Sequence, residues 1–479
     1  MHGEVAMDKI LFSDSFAYNE KIFDSYFRTE QNYDVVGTKF KAGGRAAKLY
    51  FIDGFIDGNT SERVMNFMMQ AKELETEQCS AHSFAQSLIA YMETELCDDI
   101  EKIARVVYSG AMLVIVDGFA TGFLVKTRSY PKRNVSEPDN DRVLSGAHDG
   151  FVESLLINTA LIRRRIRDRE LIMEVHQAGK RSKTDIAICY LEGKADAATV
   201  SDLRKRIAEI DVNTLNMSQE SLVECLVRRQ KWNPFPKVRY TERPDAAAAS
   251  IAEGSIIIFV DNSPSAMIIP TGFFDFLQDT NDYYFPPCIG TYLRVVRGMI
   301  FGLALLLAPT WYLLIKNPAI IPPWLDFIKI KEYYSMPILA QLLIIEVVID
   351  ALKLASLNTP SSLSNSFSVI GALVLGDLAV NAELFSSEVV LLMAFAAIAN
   401  FAQPSFELGY AFKLSRIFIV VMTAAFNVWG FAIGLVTVML VIALTKTVTG
   451  RGYLYPLIPF NGKAISRLLL RHSISKDNT

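Results

Sequence analysis

Acidic side chains inside apolar stretches are the residues of this sequence whose type and spacing point most directly to chemistry. Glu346 and Asp350 stand four residues apart in one apolar run, and Asp377 stands inside another, followed by Asn381 and Glu383. Residues four apart share one face of a helix. A charged group in hydrocarbon costs at least about 2.5–3.5 kcal/mol on insertion scales. A ring of such acids around the axis of an oligomer can select cations.

Each group of acids has a second explanation that the sequence leaves open. The segment with Glu346 and Asp350 can instead be an amphipathic helix at a membrane surface, with both acids in water. Asp377, Asn381 and Glu383 can instead make hydrogen-bonded contacts between helices, since polar residues often hold apolar helices together.

The segments that must position these acids lie in the last third of the chain. A hydrocarbon core of about 30 Å is crossed by about 20 helical residues. Apolar runs of 14 to 28 residues occupy residues 295–315, 337–355, 367–382, 389–402 and 417–444. The last run has Asn427 and Gly430 at its centre, so it is either one long tilted helix or a hairpin.

Basic residues predict which side of a membrane each end faces. Arg294 and Arg297 start the first segment and place that end in the cytoplasm, and alternation then places Lys413 and Arg416 there too. The basic tail should also be cytoplasmic, which requires an even number of crossings. Each half of a hairpin counted from residue 417 spans only about 20 Å, so five and six segments both stay open.

Strand and helix patterns alternate in the part that precedes the apolar runs, which predicts an α/β region. No signal peptide pattern is present, so this region is expected in the cytosol. A helical pattern covers residues 60–107, and one long helix is expected over residues 151–178. The predicted organisation is a polar segment (1–32), two α/β subdomains (33–130 and 131–285), a transmembrane helical domain (290–446) and a basic cytoplasmic tail (447–479). Residues 1–30 can form a helix and are expected to be poorly anchored.

Several longer motifs are arranged in an order that resembles a known family. They are PKRNVSEP at 131–138, DGFVE at 149–153, LIRRRI at 161–166, TERPD at 241–245, EG at 253–254, VDNSP at 260–264, IGALVLG at 370–376 and AIANFAQP at 397–404. These motifs are similar in order and spacing to the A subunit of spore germinant receptors, the GerA family. The family-motif residues of the soluble part are Glu137, Glu153, Arg163, Arg164, Arg165, Glu242, Arg243, Asp245 and Asp261.

Two of these soluble motifs have competing interpretations. The arginine run at 163–165 can bind an anion or a membrane surface, but consecutive arginines on a helix point in several directions, which favours salt bridges within the domain. The motif at 241–245 is either a structural turn with an arginine–carboxylate clamp, the favoured interpretation, or a ligand site.

The resemblance implies a multi-pass protein of the inner (plasma) membrane of an endospore that acts in germination. It implies an oligomeric ion channel or a channel-like, signal-amplifying subunit, with a non-conducting scaffold or a nutrient-sensing A subunit as alternatives. LGDLAV at 375–380 and LFSSEV at 384–389 resemble a paralogue of the receptor A subunit. SGAH at 145–148 and IDAL at 349–352 depart from the receptor pattern, which disfavours direct nutrient sensing.

Composition narrows the remaining classes of function and partner. The net charge of −3 argues against a nucleic-acid partner, which would require a basic face. The five cysteines and five histidines are scattered, so no zinc site, other metal or cofactor is expected. No phosphate-binding or nucleophile-elbow motif is present, and we expect no enzymatic activity. The expected partners are membrane lipid, further copies of the chain, other germination membrane proteins and ions.

Overall fold

The computed structural model describes residues 12–56, 58–70, 80–88, 94–126, 141, 146–227, 233–279, 281–331, 336–358 and 379–470. The chain divides into two compact units. The first, here named the sheet unit, comprises residues 1–229 and 240–270. The second, named the helical unit, comprises residues 230–239 and 271–479. The chain therefore passes from one unit to the other three times.

The first half of the sheet unit is a five-stranded sheet in the order β1-β2-β4-β5-β3. Its neighbouring strands are antiparallel. Gly43 and Gly44 both have positive φ and join β1 to β2, because a tight hairpin turn requires that conformation. The strands are β1 (Val35–Ala42), β2 (Arg45–Ile52), β3 (Thr94–Cys97), β4 (Met112–Val116) and β5 (Gly122–Val125). The helices are α1 (Phe16–Phe27), α2 (Gly58–Gln70), α3 (Ala81–Leu88) and α4 (Ile100–Val107).

Two predictions for this half are wrong. Residues 1–30 are not all poorly anchored: Phe23 and Phe27 of α1 are fully buried in the core of the sheet unit. The Lys48 ammonium on β2 also donates to Glu20 and Asp24 of α1. The helical pattern over residues 60–107 is interrupted by β3, which pairs with β5. Pairing with a neighbouring strand outweighed the local helical pattern there.

The second half of the sheet unit is another five-stranded sheet, in the order β6-β7-β9-β10-β8. The pairs β6–β7, β7–β9 and β9–β10 are antiparallel. The strands are β6 (Leu171–Ala178), β7 (Thr184–Leu191), β8 (Arg239–Thr241), β9 (Ile256–Val260) and β10 (Ala266–Ile269). The helices are α5 (Leu155–Arg165), α6 (Ala197–Ala208), α7 (Ser218–Leu226) and α8 (Pro244–Ala252).

The single helix predicted for residues 151–178 is wrong. Helix α5 ends at Arg165, and Ile166 already has extended backbone geometry. A turn follows, in which the Leu171 amide donates to the Asp168 carbonyl, and β6 then pairs with β7 along its whole length. The β-branched Ile172 and Val175 suit this strand, and eight paired positions outweigh the helical pattern.

Apolar helices dominate the helical unit. The α-helices of this unit are α9 (Asn281–Tyr284), α10 (Pro287–Lys316), α11 (Ile338–Leu357), α12 (Ala379–Asn381), α13 (Ser387–Phe401), α14 (Phe406–Leu444) and α15 (Gly462–Leu469). Helices α10 and α14 are long and apolar enough to cross a membrane. The first, second, fourth and last predicted segments fall on α10, α11, α13 and α14. Most of the third, residues 367–378, lies outside the described residues, so the number of membrane segments stays a prediction.

Helix α14 reverses direction at Asn427, where φ is 53° and ψ is −130°. A Cβ atom on Gly434 would lie 3.2 Å from the Cα of Ile419. Fifteen residues along a straight helix would separate these positions by about 22 Å, so the two arms are folded against each other. The first arm begins at Phe406 rather than at residue 417, and at 21 residues it reaches about 31 Å. The second arm, residues 428–444, reaches about 26 Å, so the short-arm objection no longer holds for the first arm and is weaker for the second.

The turn of this hairpin depends on one glycine and on side-chain hydrogen bonds. A Cβ on Gly430 would lie 1.8 Å from the Met422 carbonyl oxygen, so only glycine fits there. The side-chain amides of Asn317 and Asn427 donate to each other at 2.7 and 2.9 Å. The Lys316 ammonium donates to the Ala424 carbonyl at 2.8 Å, near the end of the first arm. The Lys316 bond thus pairs a backbone carbonyl that the end of the first arm leaves unsatisfied.

Candidate functional site

Two acids of α11 and two cations of the first α14 arm form a buried charge cluster. It consists of Glu346, Asp350, Lys413 and Arg416. Glu346, Lys413 and Arg416 are 5%, 4% and 2% exposed. The Glu346 Oε1 atom accepts from Arg416 Nε at 2.8 Å and lies 2.6 Å from Arg416 Nη2. The Lys413 Nζ atom lies 3.2 Å from Glu346 Oε2 and 2.5 Å from Asp350 Oδ2.

Helical spacing brings these four side chains together. The acids are four residues apart and the cations three apart, so each pair occupies one face of its helix. The cluster also reaches a third helix, because Arg416 donates to the Ala304 carbonyl of α10 at 2.6 Å. Two acids and two cations leave no net charge, and the low exposure makes this pairing necessary in an apolar interior.

The cluster is closed on the side of Glu346 and open on the side of Asp350. A cavity of about 10 Å³, the room for one water molecule, lies beside Glu346 and Arg416. The alternative in which both acids lie in water is therefore wrong for Glu346. The Asp350 side chain is 33% exposed. Its Oδ1 atom is nevertheless buried and has no hydrogen-bond partner within the described part of the chain.

The other predicted intramembrane residues are not brought into this cluster. Asp377 lies outside the described residues. Asn381 and Glu383 are exposed, and Glu383 has a positive φ of 54° just after α12. Their predicted role in a pore or an intersubunit contact stays a prediction.

Sequence reasoning missed the partners of the acids. Lys413 and Arg416 were interpreted only as markers of the cytoplasmic side, whereas each contacts Glu346. The available signal was their matched number and spacing: two cations three apart just before one apolar run and two acids four apart within another. Gln341 also lies on α11, and its Oε1 atom accepts from the backbone amide of the buried Ser386 at 2.9 Å.

The arginine run of α5 makes salt bridges within the sheet unit, as predicted. Arg163 is fully buried and donates twice to Asp34, at 2.8 and 3.0 Å. Burial alone would lower the pKa of Arg163, but the charge of Asp34 outweighs it and raises this pKa. Arg165 donates to both oxygens of the partly exposed Asp149 at 2.6 and 2.7 Å. Arg164 is exposed.

The predicted clamp in the motif at 241–245 is confirmed. Arg243 is fully buried and donates to both oxygens of Asp245, at 3.1 and 2.6 Å. It also donates to the Ala147 carbonyl at 3.1 Å. The Glu242 carbonyl accepts from the Phe151 amide at 2.8 Å. These contacts fix the chain ahead of α8 and support the structural interpretation.

Of the remaining family-motif residues, Asp261 contacts the first residue of α5, Glu153 lies just before that helix, and Glu137 is not described. The Asp261 Oδ1 atom accepts from the Leu155 amide at 3.3 Å, the first residue of that helix. Glu153 is exposed, and its carbonyl accepts from the Asn262 amide at 2.9 Å. Glu137 lies outside the described residues. Within the described ranges, no group of three or more His, Cys, Asp or Glu side chains is placed to hold a metal ion.

One carboxyl outside the predicted set has a strongly shifted pKa. Glu174 on β6 accepts from Arg204 at 2.7 and 2.5 Å and from the Tyr190 hydroxyl at 2.7 Å. Burial raises the pKa of Glu174, but hydrogen bonds from His176, Arg204 and Tyr190 outweigh it and lower this pKa to about 2. The cluster ties α6 to the sheet.

These features define a class of protein, one with a large unit of two antiparallel sheets and a unit of apolar helices around buried charges. The sequence profile of the Bacillus/Clostridium GerA spore germination protein family matches residues 22–479, and the chain belongs to that family. The two long apolar helices fit the membrane association of its germination receptors. Family membership confirms the resemblance inferred from the motifs.

Individual relatives are similar over nearly the whole chain. Stage V sporulation protein AF of Bacillus subtilis (strain 168) is 37% identical over 455 residues, covering 95% of this chain and 92% of that protein. Spore germination protein KA of the same organism is 27% identical over 471 residues, covering 96% and 85%. The crystal structure of the N-terminal domain of the A subunit of the Bacillus megaterium spore germinant receptor GerK3 is 25% identical, with a TM-score of 0.43. That match covers 55% of this chain and 97% of the other.

Proposed function

We propose that this chain is an oligomeric, multi-pass subunit of a germination channel, or a channel-like signal amplifier, in the inner membrane of the endospore. The supporting observation is the charge cluster, which links α10, α11 and the first arm of α14 inside an apolar unit. Charged groups in such surroundings are rare and usually mark ion pathways or mechanical links. Family membership supports the setting in germination.

Within this proposal the two acids of α11 have different roles. Glu346 is held by two cations of its own chain and fixes the rotation of α11. Asp350 shares Lys413 with Glu346, and a third of its side chain is exposed. In a ring of copies, Asp350 is therefore the acid of this helix that can face a shared axis and attract cations. Additional acids would come from the predicted third segment with Asp377.

The proposed topology has six crossings. Helices α10, α11 and α13, the third predicted segment and the two arms of α14 supply them. An even number puts the sheet unit and the basic tail on one side, which we propose is the cytoplasm. The test labels single cysteines introduced at Ser473 and at Ser13 with a membrane-impermeant thiol reagent, in a chain whose own cysteines are serine. Labelling of both from the same side is expected, and labelling from opposite sides would leave an odd number of crossings.

Conductance of the purified oligomer in a planar bilayer tests the channel. Asp350→Asn is expected to reduce the preference for cations over anions, because it removes a partly exposed charge without changing shape. Asp326→Asn is the matched control, since that acid is exposed outside the long helices and pairs with Lys329. Asp377→Asn tests the third segment in the same way. Unchanged selectivity in both Asp350→Asn and Asp377→Asn would reject the proposed pore role of these acids.

The same geometry favours one alternative, a non-conducting scaffold. Glu346 is neutralised entirely within one chain, as a structural ion pair would be. The mass of the cross-linked, detergent-extracted complex separates the alternatives together with conductance. A stable oligomer that passes no current identifies the scaffold, and current through the oligomer rejects it. A nutrient-sensing A subunit, by analogy with the receptor relatives, would instead require current that depends on an added nutrient.

A further inference from the structure

Five large apolar side chains are exposed at one end of the helical unit, which we name the aromatic end. They are Ile320, Trp324, Phe327, Phe426 and Trp429, with 60% to 77% of each side chain exposed. Four of the five are aromatic. Such a concentration in contact with water is unusual and marks a surface that something apolar covers.

The chain brings these residues together from two distant segments. Trp324 and Phe327 lie in the 3-10 turn Pro323–Ile328 that follows α10, and Trp429 lies at the tip of the α14 hairpin. The reciprocal bonds between Asn317 and Asn427 join the end of α10 to that tip. The indole N–H of Trp311 donates to the Ile328 carbonyl at 3.0 Å and holds the turn against α10.

We infer that the aromatic end lies in the boundary between lipid headgroups and acyl chains, on the membrane face opposite to Arg294 and Arg297. Helix α10 is 30 residues long, so its two ends lie about 45 Å apart, close to the full thickness of a bilayer. Its first part carries those arginines, and its last residue adjoins the aromatic end. Tryptophan is enriched at membrane interfaces because its ring is apolar and its N–H is polar.

Continuity with the flanking helices favours lipid over another occupant. Exposed apolar residues run along the first arm of α14 at Leu414, Phe418 and Val421 and continue into Phe426 and Trp429. The surface that faces hydrocarbon thus merges with the aromatic end without a polar break. Charges at this level are Lys316, bonded to the Ala424 carbonyl, and the pair of Asp326 and Lys329 beside Trp324, as expected near the headgroups.

Fluorescence quenching in proteoliposomes tests this inference. The chain has four tryptophans, Trp232, Trp311, Trp324 and Trp429, so three full-length variants each retain one of the last three and carry phenylalanine at the others. Trp324 and Trp429 are expected to be quenched at least about twofold more by lipid brominated near the headgroup than by lipid brominated near the chain end. Both should resist aqueous iodide. The buried Trp311 is the control and should respond weakly to both lipids.

Each other outcome overturns the inference. Iodide quenching of Trp324 and Trp429 would place the aromatic end in water. Quenching by neither reagent would mean that protein, such as a second copy, covers it. The inference rests on the membrane-crossing part of the proposed function and not on conduction. Cysteine labelling tests the crossings separately, so crossings without lipid quenching would reject the aromatic anchor alone.

Discussion

Replacing Glu346 by glutamine should destabilise the helical unit more than any exposed change of the same size. The substitution preserves shape but removes one charge, so the cluster of two acids and two cations is left with a net charge of +1. Glu346 contacts both cations, through Oε1 to Arg416 at 2.6 Å and through Oε2 to Lys413 at 3.2 Å. Breaking a buried pair by removing one partner costs about 3–5 kcal/mol.

That free energy gives a measurable shift in the melting temperature. For a unit of this size, 1 kcal/mol corresponds to roughly 2–4 °C, so Glu346→Gln should lower Tm by about 10 °C. The assay is thermal unfolding of the detergent-purified full-length chain, followed by intrinsic fluorescence. Asp326→Asn is the control, because it breaks an exposed pair with Lys329 and should leave Tm unchanged.

A second substitution separates the charge effect from general damage. Adding Arg416→Gln to Glu346→Gln removes one cation and restores neutrality among the remaining Asp350 and Lys413. The double variant should therefore lose less stability than the sum of the two single variants, by about 2 kcal/mol or more. Additive losses, or a Glu346→Gln chain as stable as the wild type, would refute the assignment of Glu346 to a buried ion pair.

Three further predictions concern other buried or crowded positions. Arg163→Met should lower the free energy of unfolding of the sheet unit by about 3–5 kcal/mol, because it leaves a buried carboxylate unpaired, whereas Arg165→Met should cost less than about 1 kcal/mol; chemical denaturation measures both. Gly430→Ala should prevent closure of the α14 hairpin and lower Tm, whereas Gly302→Ala, with nothing within 4 Å of the new methyl, should not. The lowered pKa of Glu174 contributes stability above its unfolded value of about 4.3 that is lost as pH falls toward about 2, so Glu174→Gln should flatten the dependence of Tm on pH in that window.

Local patterns were sufficient for some strands of the sheet unit that pair through short turns. The β4–β5 hairpin follows from two apolar runs around Asp117 and Gly118, and Gly118 has the positive φ that such a turn needs. The errors occurred where pairing with another strand decided the structure: β3 pairs with β5 well along the chain, and β6 pairs with the next strand, β7. Residues 171–178 carry no strong breaker before them, and only β7 selects the extended form there. Nothing within the segment reveals that partner.

The candidate site also contains residues that the sequence predicts and residues that it does not. The acids of α11 were predictable because an ionisable residue in an apolar run is conspicuous on its own. Their partners were not, because Lys413 lies 63 residues beyond Asp350 and a helix packing decides the contact. The same applies to Asp34, which meets Arg163 across the two halves of the sheet unit. The sequence alone indicates where a charge is buried, whereas only the fold identifies the residue that neutralises it.

The pairing of Lys413 and Arg416 with Glu346 also bears on which cations indicate the cytoplasmic side of the membrane. Lys413 and Arg416 lie two to three turns inside the first arm of α14 and contact Glu346, so they are not loop charges of the kind that the positive-inside rule counts. Arg294 and Arg297 lie equally far inside α10 and share the buried Asp282, so the same reasoning applies to them. The hairpin at Asn427 returns the chain to the side on which α14 begins. In the proposed topology, where α10, α11, the third predicted segment and α13 each cross once, the even number of crossings rests on the reversal of α14 rather than on the two cations within it.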